Sequence, residues 1–322
     1  MQTRQLPHTD LTVSRACFGA MTFGGQTDEP TARRMVDLCM DRGINFFDTA
    51  NAYTKGQSEI VLGNVLKGRR DKVILASKVG MANGFPAEAT PLSRKSILAN
   101  IDASLERLQT DYLDLYYMHL PDYKAPIEET LAAFDEVVRA GKVRYPATSN
   151  FAAWQVLEAI DISCKSGYKP PYVSQPMLNL LARGIEQEYI PFCQKYGVSM
   201  IVYNPLAGGM LTGKQHRDRP IAGTRFDNNQ MYLDRYWHPA YFDAVDEIQA
   251  ISGKAGRSAI DLSFNWLLYH TPADVVLIGA SKLDQLEQNL DVFDRGPLAP
   301  ETIAALDQVW QNLRGVTPKY NR

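Results

Sequence analysis

Residues 73–118, VILASKVGMANGFPAEATPLSRKSILANIDASLERLQTDYLDLYYM, contain the repeating unit that decides the fold. Two short β-rich runs, at residues 73–77 and 113–118, enclose a segment at residues 93–108 in which apolar residues recur every three and four positions. A strand, a helix and a second strand in this order form a unit whose two strands lie parallel. The sequence therefore predicts an α/β fold with a parallel sheet.

The same alternation extends over nearly the whole chain. Strand-like runs occupy residues 16–18, 45–48, 73–77, 113–118, 143–149, 172–175, 199–203 and 275–278. Helical patterns occupy residues 29–42, 58–66, 93–108, 127–140, 153–166, 185–196, 258–269 and 283–290. Eight strands, each followed by a helix, predict a (β/α)8 TIM barrel. A doubly wound sheet is the alternative, but no GxGxxG motif follows the first strand, so the barrel is favoured.

Three segments are additions to the barrel. Residues 4–15 predict a short N-terminal hairpin, and residues 300–313 predict an added C-terminal helix. Residues 208–256, after the seventh strand, are too long for a plain connection and predict a large loop with one helix near residues 242–251. Because no composition shift divides the chain, we expect one domain over residues 1–322.

Composition narrows the range of functions. The 322 residues are 45% hydrophobic and 22% charged, as in globular proteins, and the net charge of −2 argues against nucleic acid as a partner. No signal sequence begins the chain and no apolar run of about 18 residues occurs, so we expect no membrane segment and a cytoplasmic location. The four cysteines, which lack metal-ligand spacing, predict buried reduced thiols and no metal site.

Polar side chains end six successive predicted strands. In order these residues are Asp48, Lys78, His119, Asn150, Gln175 and Asn204. Any one of them has an ordinary structural explanation, such as a helix cap or a surface lysine. The carboxyl ends of barrel strands converge on the active site, so the joint pattern favours a catalytic centre there.

Tyr53 lies five residues beyond Asp48 in a loop on the same face. A free phenol has a pKa near ~10, and a neighbouring ammonium favours the phenolate and lowers that pKa. We therefore expect Lys78 to make Tyr53 a usable acid and Asp48 to hold the ammonium. His119 is expected to hydrogen-bond the substrate oxygen or assist proton transfer. The alternative for Tyr53 is a tyrosine that packs over the barrel rim.

Over nearly its full length the chain resembles the aldo-keto reductases. The segments that carry the resemblance are GINFFDTANAYTKGQSE (residues 43–59), ILASKVG (74–80), LDLYYMHLPD (113–122) and GKVRYPATSNF (141–151). Asp48, Tyr53, Lys78 and His119 occupy the positions of that family's catalytic residues. NPLAGGMLTGK (204–214), IGASKLDQLEQNL (278–290) and the ending YNR are most similar to the branch of aflatoxin-aldehyde and succinic-semialdehyde reductases.

The resemblance implies that NADPH/NADP+ binds in extended form without a Rossmann motif. Ser149, Asn150 and Gln175 would hydrogen-bond the carboxamide, and Tyr203 would stack beneath the nicotinamide ring. Backbone and charge near the pyrophosphate would come from Asn204, Pro205, Leu206, Gly208, Gly209 and Lys214, with Arg225 lying across the cofactor. The adenosine 2′-phosphate end would meet Gly279, Ser281, Lys282, Gln285, Gln288 and Asn289. Many family members have an arginine at the position of Gln285.

A departure from the family pattern is Pro146 in the fifth strand, which cannot donate a ladder hydrogen bond and predicts a bend or bulge there.

The expected reaction is reduction of a small-molecule carbonyl, with the proton from Tyr53. Arginines at 235 and 322 match those that the semialdehyde-reductase branch uses near a substrate carboxylate, so an aldehyde with a carboxylate, or a dicarbonyl, is the expected substrate. The predicted substrate-binding residues are Met21, Phe85, Tyr232, Arg235, Trp237 and Arg322.

Two other functions stay open. The family includes potassium-channel β subunits that retain the barrel, so an NADPH-binding regulatory subunit is one alternative. A Schiff-base lyase with Lys78 as nucleophile is another, although Asp48 should keep that lysine protonated. A monomer and a homodimer are both compatible with the sequence.

Overall fold

The structure, a computed structural model, describes residues 1–81 and 89–316. Within these residues the strands are β1 (Thr3–Gln5), β2 (Thr12–Ser14), β3 (Ala16–Gly19), β4 (Phe46–Asp48), β5 (Ile74–Val79), β6 (Leu113–Met118), β7 (Val143–Ser149), β8 (Val173–Gln175), β9 (Ser199–Val202) and β10 (Val275–Ile278). Strands β3 to β10 form a closed parallel barrel in which β10 pairs with both β3 and β9. The predicted TIM barrel is confirmed.

Helices surround this barrel. Those described are α1 (Glu29–Asp41), α2 (Gln57–Leu66), α3 (Arg94–Leu108), α4 (Ile127–Arg139), α5 (Ala153–Ser166), α6 (Tyr189–Tyr196), α7 (Gln230–Tyr236), α8 (Pro239–Ala255), α9 (Ala259–His270), α10 (Leu283–Val292) and α11 (Pro300–Arg314). Among the described helices, none is both long and apolar enough to cross a bilayer. The added C-terminal helix is confirmed as α11, which packs on α8.

The N-terminal hairpin closes the amino end of the barrel. Strands β1 and β2 pair antiparallel, as predicted. Leu6, Leu11 and Val13 from this hairpin are buried in one apolar cluster with barrel-interior residues such as Phe46 and Leu115. A larger apolar cluster fills the layer between the barrel and its helices. The interior is therefore packed, and the carboxyl ends of the strands are left for a site.

Pro146 fits the barrel without the predicted bulge. The pairing of β7 with β6 runs in continuous register from Tyr145 opposite Leu115 to Thr148 opposite Met118. On its other side β7 pairs with β8 at Thr148 and Ser149, beyond the proline. The missing N–H therefore does not interrupt the pairing of β7 with β8, and the expected bulge is wrong.

The long segment after β9 contains two helices where one was predicted. Helix α8 covers the predicted position, and α7 precedes it. Helix α7 has only seven residues and lies among turn-forming residues, so the sequence there is too short to show a helical pattern of apolar residues. Its buried residues, Tyr232 and Tyr236, fix it to the rest of the loop.

The cysteines follow the prediction with one exception. Cys17, Cys39 and Cys193 are buried free thiols, whereas Cys164 is a free thiol exposed on α5. The expectation of burial is wrong for Cys164 because it lies on the outward face of a surface helix.

Candidate active site

Five of the predicted site residues lie at the carboxyl end of the barrel. Asp48, Ser149 and Gln175 are the last residues of β4, β7 and β8. Lys78 lies one residue before the end of β5, and His119 directly follows β6. Parallel pairing of these strands places them around one opening.

Lys78 and Asp48 form a buried ion pair at the centre of this group. Lys78 is 0% exposed and Asp48 is 1% exposed. The Lys78 Nζ donates to Asp48 Oδ1 and, at 2.8 Å, to the Thr49 carbonyl. Gln175 Nε2 donates to the other Asp48 oxygen at 3.0 Å, so both carboxylate oxygens have partners. Each buried charge is thereby compensated.

The pair keeps the lysine in its ammonium form. Burial alone would lower the pKa of Lys78, but the Asp48 carboxylate and then Tyr53 outweigh burial, and the pKa lies above its usual value. A protonated lysine is a fixed positive charge and a poor nucleophile.

Tyr53 lies close to both this charge and His119. Its ring centre is 5.0 Å from Lys78 Nζ and 5.7 Å from the centre of the His119 ring, which meets it edge to face at 83°. Tyr53 begins the short 3-10 helix Tyr53–Gly56 that leads into α2. The structure thus brings together all four predicted catalytic residues.

The direction of the Tyr53 pKa differs from the sequence prediction. Burial raises the pKa of the phenol, and the charge of Lys78 opposes this change without reversing it. The expectation of a lowered pKa is wrong because it counted the ammonium and omitted burial. Tyr53 therefore holds its proton at neutral pH and is available as a donor.

His119 is neutral at the same opening. It is 6% exposed, and its Nδ1 has no hydrogen-bond partner among the described residues. Burial and the nearby Lys78 charge lower the pKa of the imidazole to about 3. A neutral imidazole can donate one hydrogen bond, and it carries no extra proton with which it could replace Tyr53 as the acid.

The predicted nicotinamide residues form a hydrogen-bonded group beside His119. Asn150 Nδ2 donates to the His119 carbonyl at 2.9 Å and to Ser149 Oγ at 3.0 Å. The Tyr203 hydroxyl donates to Asn150 Oδ1 at 2.7 Å, and Ser149 Oγ donates to the Gln175 carbonyl at 3.0 Å. These bonds hold the half-buried Tyr203 ring at the barrel opening.

The loop after β9 is shaped by Asn204 and two glycines. Asn204 Oδ1 accepts from the Gly208 N–H at 2.6 Å, and its Nδ2 donates to the Tyr236 hydroxyl at 2.9 Å. Gly208 and Gly209 have φ of 69° and 103°, conformations that favour glycine. A Cβ on Gly209 would meet no described atom within 4 Å, so its backbone faces open space. The remaining predicted residues here are buried Pro205, half-buried Leu206 and exposed Lys214.

Helix α10 follows β10 after the short connection 279–282, at the predicted phosphate position. Lys282 is its exposed N-cap residue. Gln285 Oε1 accepts from the Ser281 hydroxyl at 3.2 Å, and Asn289 Nδ2 donates to the Gly279 carbonyl at 3.4 Å. Gln288 is exposed on the same helix. The first turn therefore presents backbone N–H groups beside a lysine.

The long loop brings both Arg225 and Arg235 close to the ring of Tyr232. Arg225 Nη1 donates to the Tyr232 hydroxyl at 2.8 Å, and the Arg235 guanidinium lies 5.8 Å from the Tyr232 ring centre. A Cβ placed on Gly279 would be 3.8 Å from Arg225 Nη2, so Arg225 reaches the end of β10. The loop therefore places two cations at the barrel opening.

The other predicted substrate residues are less closely grouped. Trp237 packs in the aromatic cluster of the loop, with ring centres 5.3 Å from Phe226 and 5.0 Å from Phe242. Met21 is half-buried just beyond β3. Phe85 and Arg322 lie outside the described residues.

The sequence reasoning missed a set of buried polar residues behind the site. The hydroxyls of Thr49 and Ser58 share a hydrogen bond of 2.7 Å, and Ser58 Oγ also donates to the Ala20 carbonyl at 2.7 Å. Buried Glu59 accepts from the Ser77 hydroxyl. The available signal was the occurrence of polar residues inside otherwise apolar runs, because a buried polar group needs a partner.

Comparison with known proteins gives a consistent result. A model of the aldo/keto reductase family matches residues 15–311. Human aldo-keto reductase family 7 member A3 is 34% identical over 323 aligned positions, which cover 94% of this chain and 96% of that protein. Human aflatoxin B1 aldehyde reductase member 2 is 34% identical over 323 positions, covering 94% of this chain and 88% of that protein. A probable voltage-gated potassium channel subunit beta from Oryza sativa subsp. japonica is 33% identical over 328 positions, which cover 99% of this chain and 100% of that protein.

The match contains every strand of the barrel, from β3 to β10, and includes Asp48, Tyr53, Lys78 and His119. It agrees with the resemblance found in the sequence motifs. The similarity to named reductases supports an oxidoreductase. The chain belongs to the aldo/keto reductase family.

Proposed function

We propose that the protein reduces aldehydes or ketones to alcohols with NADPH, and that Tyr53 donates the proton to the substrate oxygen. The observation that carries the proposal is the buried Lys78–Asp48 pair next to a phenol that retains its proton. A proton donor, a fixed cation and a neutral imidazole at one opening suit a carbonyl oxygen that gains negative charge.

Each group has a separate part in this chemistry. Tyr53 gives its proton to the oxygen, and the Lys78 ammonium stabilises the phenolate that remains. Asp48 and the Thr49 carbonyl hold Lys78 in place. His119 supplies a neutral hydrogen bond to the same oxygen. The pairing of Lys78 also opposes the lyase alternative, because a Schiff base requires an unprotonated amine.

NADPH, when bound, supplies a hydride to the carbonyl carbon. The residues present fit this cofactor at three places. Tyr203 offers a ring face beside the Asn150 group, Gly209 offers open backbone, and α10 offers an N-terminal turn with Lys282. Arg225, which reaches Gly279, would add positive charge along the bound phosphates.

Turnover of an aldehyde panel tests the reaction. Loss of NADPH absorbance should be seen with small aldehydes and should be faster for those that carry a carboxylate or a second carbonyl, because Arg235 interacts with the Tyr203 side chain at the opening. Arg235→Ala should remove that preference and leave uncharged aldehydes nearly unaffected. The absence of turnover with every aldehyde, ketone and sugar in the panel would contradict the proposal.

Lys282 tests the preference for NADPH. Lys282→Ala should weaken NADPH binding by about tenfold and NADH binding much less, since only NADPH carries the 2′-phosphate. Fluorescence titration of both coenzymes measures this difference, with Lys254→Ala on α8 as the control for an exposed lysine. An equal loss of affinity for both coenzymes would place Lys282 outside the phosphate site.

The relative named as a channel subunit favours a second candidate, an NADPH-binding regulatory subunit. The filled catalytic positions count against a purely regulatory role. Tight NADPH binding without turnover of any carbonyl would favour this candidate over the reductase.

A further inference from the structure

A buried carboxylate lies behind the catalytic pair, on the outer side of the barrel. Glu59 is in the first turn of α2 and is 0% exposed. Arg107 Nε of α3 donates to Glu59 Oε2 at 2.7 Å, and the Ser77 hydroxyl of β5 donates to Glu59 Oε1. One carboxylate therefore connects two helices and a barrel strand.

Ser77 directly precedes Lys78 in β5. Successive side chains of a strand point to opposite faces, so Lys78 points into the barrel opening and Ser77 points outward to α2. The hydrogen bond from Ser77 to Glu59 consequently fixes the part of β5 that carries Lys78 against the first turn of α2.

The same helix follows the turn that carries Tyr53. Thr54, Lys55 and Gly56 have φ of 47°, 56° and 88°, so three successive residues adopt the left-handed conformation. This conformation is strained for a β-branched residue such as Thr54 and needs support from its surroundings. Thr54 Oγ1 donates to the Phe23 carbonyl at 2.8 Å.

Arg107 also supports the turn. A Cβ on Gly56 would lie 3.2 Å from Arg107 Cδ and Nε, so the arginine stem covers the turn. The orientation of Arg107 in turn depends on Glu59. Glu59 therefore contacts the supports of both catalytic side chains, Tyr53 through Arg107 and Lys78 through Ser77.

We infer that Glu59 is a positioning residue, which sets the separation of the Tyr53 phenol and the Lys78 ammonium through Arg107 and Ser77. The inference rests on the proposed function of Tyr53 as proton donor. Small errors in the placement of reacting groups carry large rate penalties, so loss of this link should reduce the chemical step more than binding.

Ser77→Ala is the principal test because it removes one hydroxyl and keeps the strand. We expect kcat to fall about tenfold while the dissociation constant of NADPH and the KM of the aldehyde stay within about twofold. Glu59→Gln should lower kcat by a similar or larger factor, measured on the folded protein. Ser77→Thr, which restores the hydroxyl, should recover most of the lost rate. Unchanged kcat in Ser77→Ala, or no recovery in Ser77→Thr, would overturn the inference.

Ser163→Ala on α5 is the matched control. Ser163 is also buried, but its hydroxyl has no partner in the part of the chain that the structure describes. Its removal should leave kcat unchanged, and an equal loss of kcat in both variants would show a general packing effect and overturn the inference. Thermal unfolding of each variant separates changes in stability from changes in rate.

A readout independent of turnover distinguishes failure of the inference from failure of the proposed function. The Tyr53 phenol can be titrated by ultraviolet difference between each protein and its Tyr53→Phe counterpart. In Ser77→Ala this titration should move to higher pH, because Lys78 no longer lies as close to the phenol. An unmoved titration overturns the inference, whereas a wild-type protein that reduces no carbonyl overturns only the proposed function.

Discussion

Tyr53 and His119 meet edge to face with ring centres 5.7 Å apart, and burial is the largest influence on the pKa of each. Burial disfavours the charged form, so it raises the pKa of the phenol and lowers that of the imidazole. Both side chains are consequently neutral across the physiological range. Lys78 is the charged member of this trio, and Asp48 maintains its charge.

The first prediction at the residue scale concerns the pH dependence of His119. Its pKa is lowered to about 3, so it should contribute no step near pH 6.5 to the pH profile of kcat/KM. Because the folded pKa lies below the unfolded one, folding favours the neutral form. The stability that this provides is present above the unfolded pKa near ~6.5 and is lost as the pH falls towards the folded value.

NMR titration of the imidazole, assigned with a His119→Gln variant, measures this pKa directly. Denaturation at several pH values should show less loss of stability below pH ~6.5 in the variant than in the wild type. A His119 signal that titrates near pH ~6.5 would show that burial does not keep the imidazole neutral and would contradict the prediction.

The second prediction concerns the buried ion pair. Asp48→Asn leaves the Lys78 charge buried without its carboxylate and should lower the free energy of unfolding by roughly 3 kcal/mol. Asp37→Asn, which breaks the partly exposed pair with Arg69, should cost less than about 1 kcal/mol. Urea denaturation compares the two variants, and equal losses would contradict the burial of the Asp48–Lys78 charges.

At this scale the sequence identified the residues that meet at the barrel opening and misjudged the direction of the Tyr53 pKa shift. Asp48, Lys78 and His119 could be found because each lies at the carboxyl end of a strand, and these ends converge in a barrel. The degree of burial of Tyr53 depends on residues distant in sequence, so the direction of its pKa could not be predicted from neighbouring motifs. Glu59 was missed because an acidic residue in the first turn of a helix has an ordinary explanation in the helix dipole.

At the scale of elements, the contact between α2 and α3 holds the Tyr53 turn against the barrel. Gly63 of α2 makes this contact possible, because a Cβ there would lie 2.6 Å from the Arg107 carbonyl oxygen. The neighbouring Leu108 backbone is equally close, with Leu108 C at 2.7 Å. The two helices therefore pack backbone to backbone at this point.

The third prediction tests this packing. Gly63→Ala should force the helices apart and lower the free energy of unfolding by roughly 2 kcal/mol. Gly253→Ala in α8 should instead raise stability by up to about 1 kcal/mol, since a Cβ there meets no described atom within 4 Å. Thermal or urea denaturation measures both, and a Gly63→Ala protein as stable as the wild type would contradict the close approach.

Element prediction succeeded for the barrel strands and the longer helices and failed for the seven-residue helix α7. The bounds of β6, β7, β10 and α5 agree with the sequence. Helix α6 begins later than predicted because residues Gly184–Glu186 form a separate 3-10 turn. Tertiary contacts of Tyr232 and Tyr236, which the sequence does not reveal, stabilise the short α7.

At the scale of the whole molecule, closure of the barrel is what assembles the site. Strand β10 pairs with β3, so residues near both ends of the chain meet beside the loop that carries Arg225. The hairpin closes the opposite end and leaves the carboxyl ends of the strands as the open face. The family could be recognised from sequence because its motifs lie at these strand ends. Substrate choice could not, because the loops that decide it follow no repeating pattern.

The fourth prediction, at this scale, tests whether the barrel presents Tyr53 as a proton donor. Tyr53→Phe removes one hydroxyl and keeps the ring that packs against His119. Turnover of an aldehyde and the dissociation constant of NADPH should be measured on the same preparation. We predict a fall in kcat of at least about 100-fold with the NADPH dissociation constant changed less than about threefold. A Tyr53→Phe protein that reduces aldehydes at the wild-type rate would contradict the role of Tyr53 as the donor.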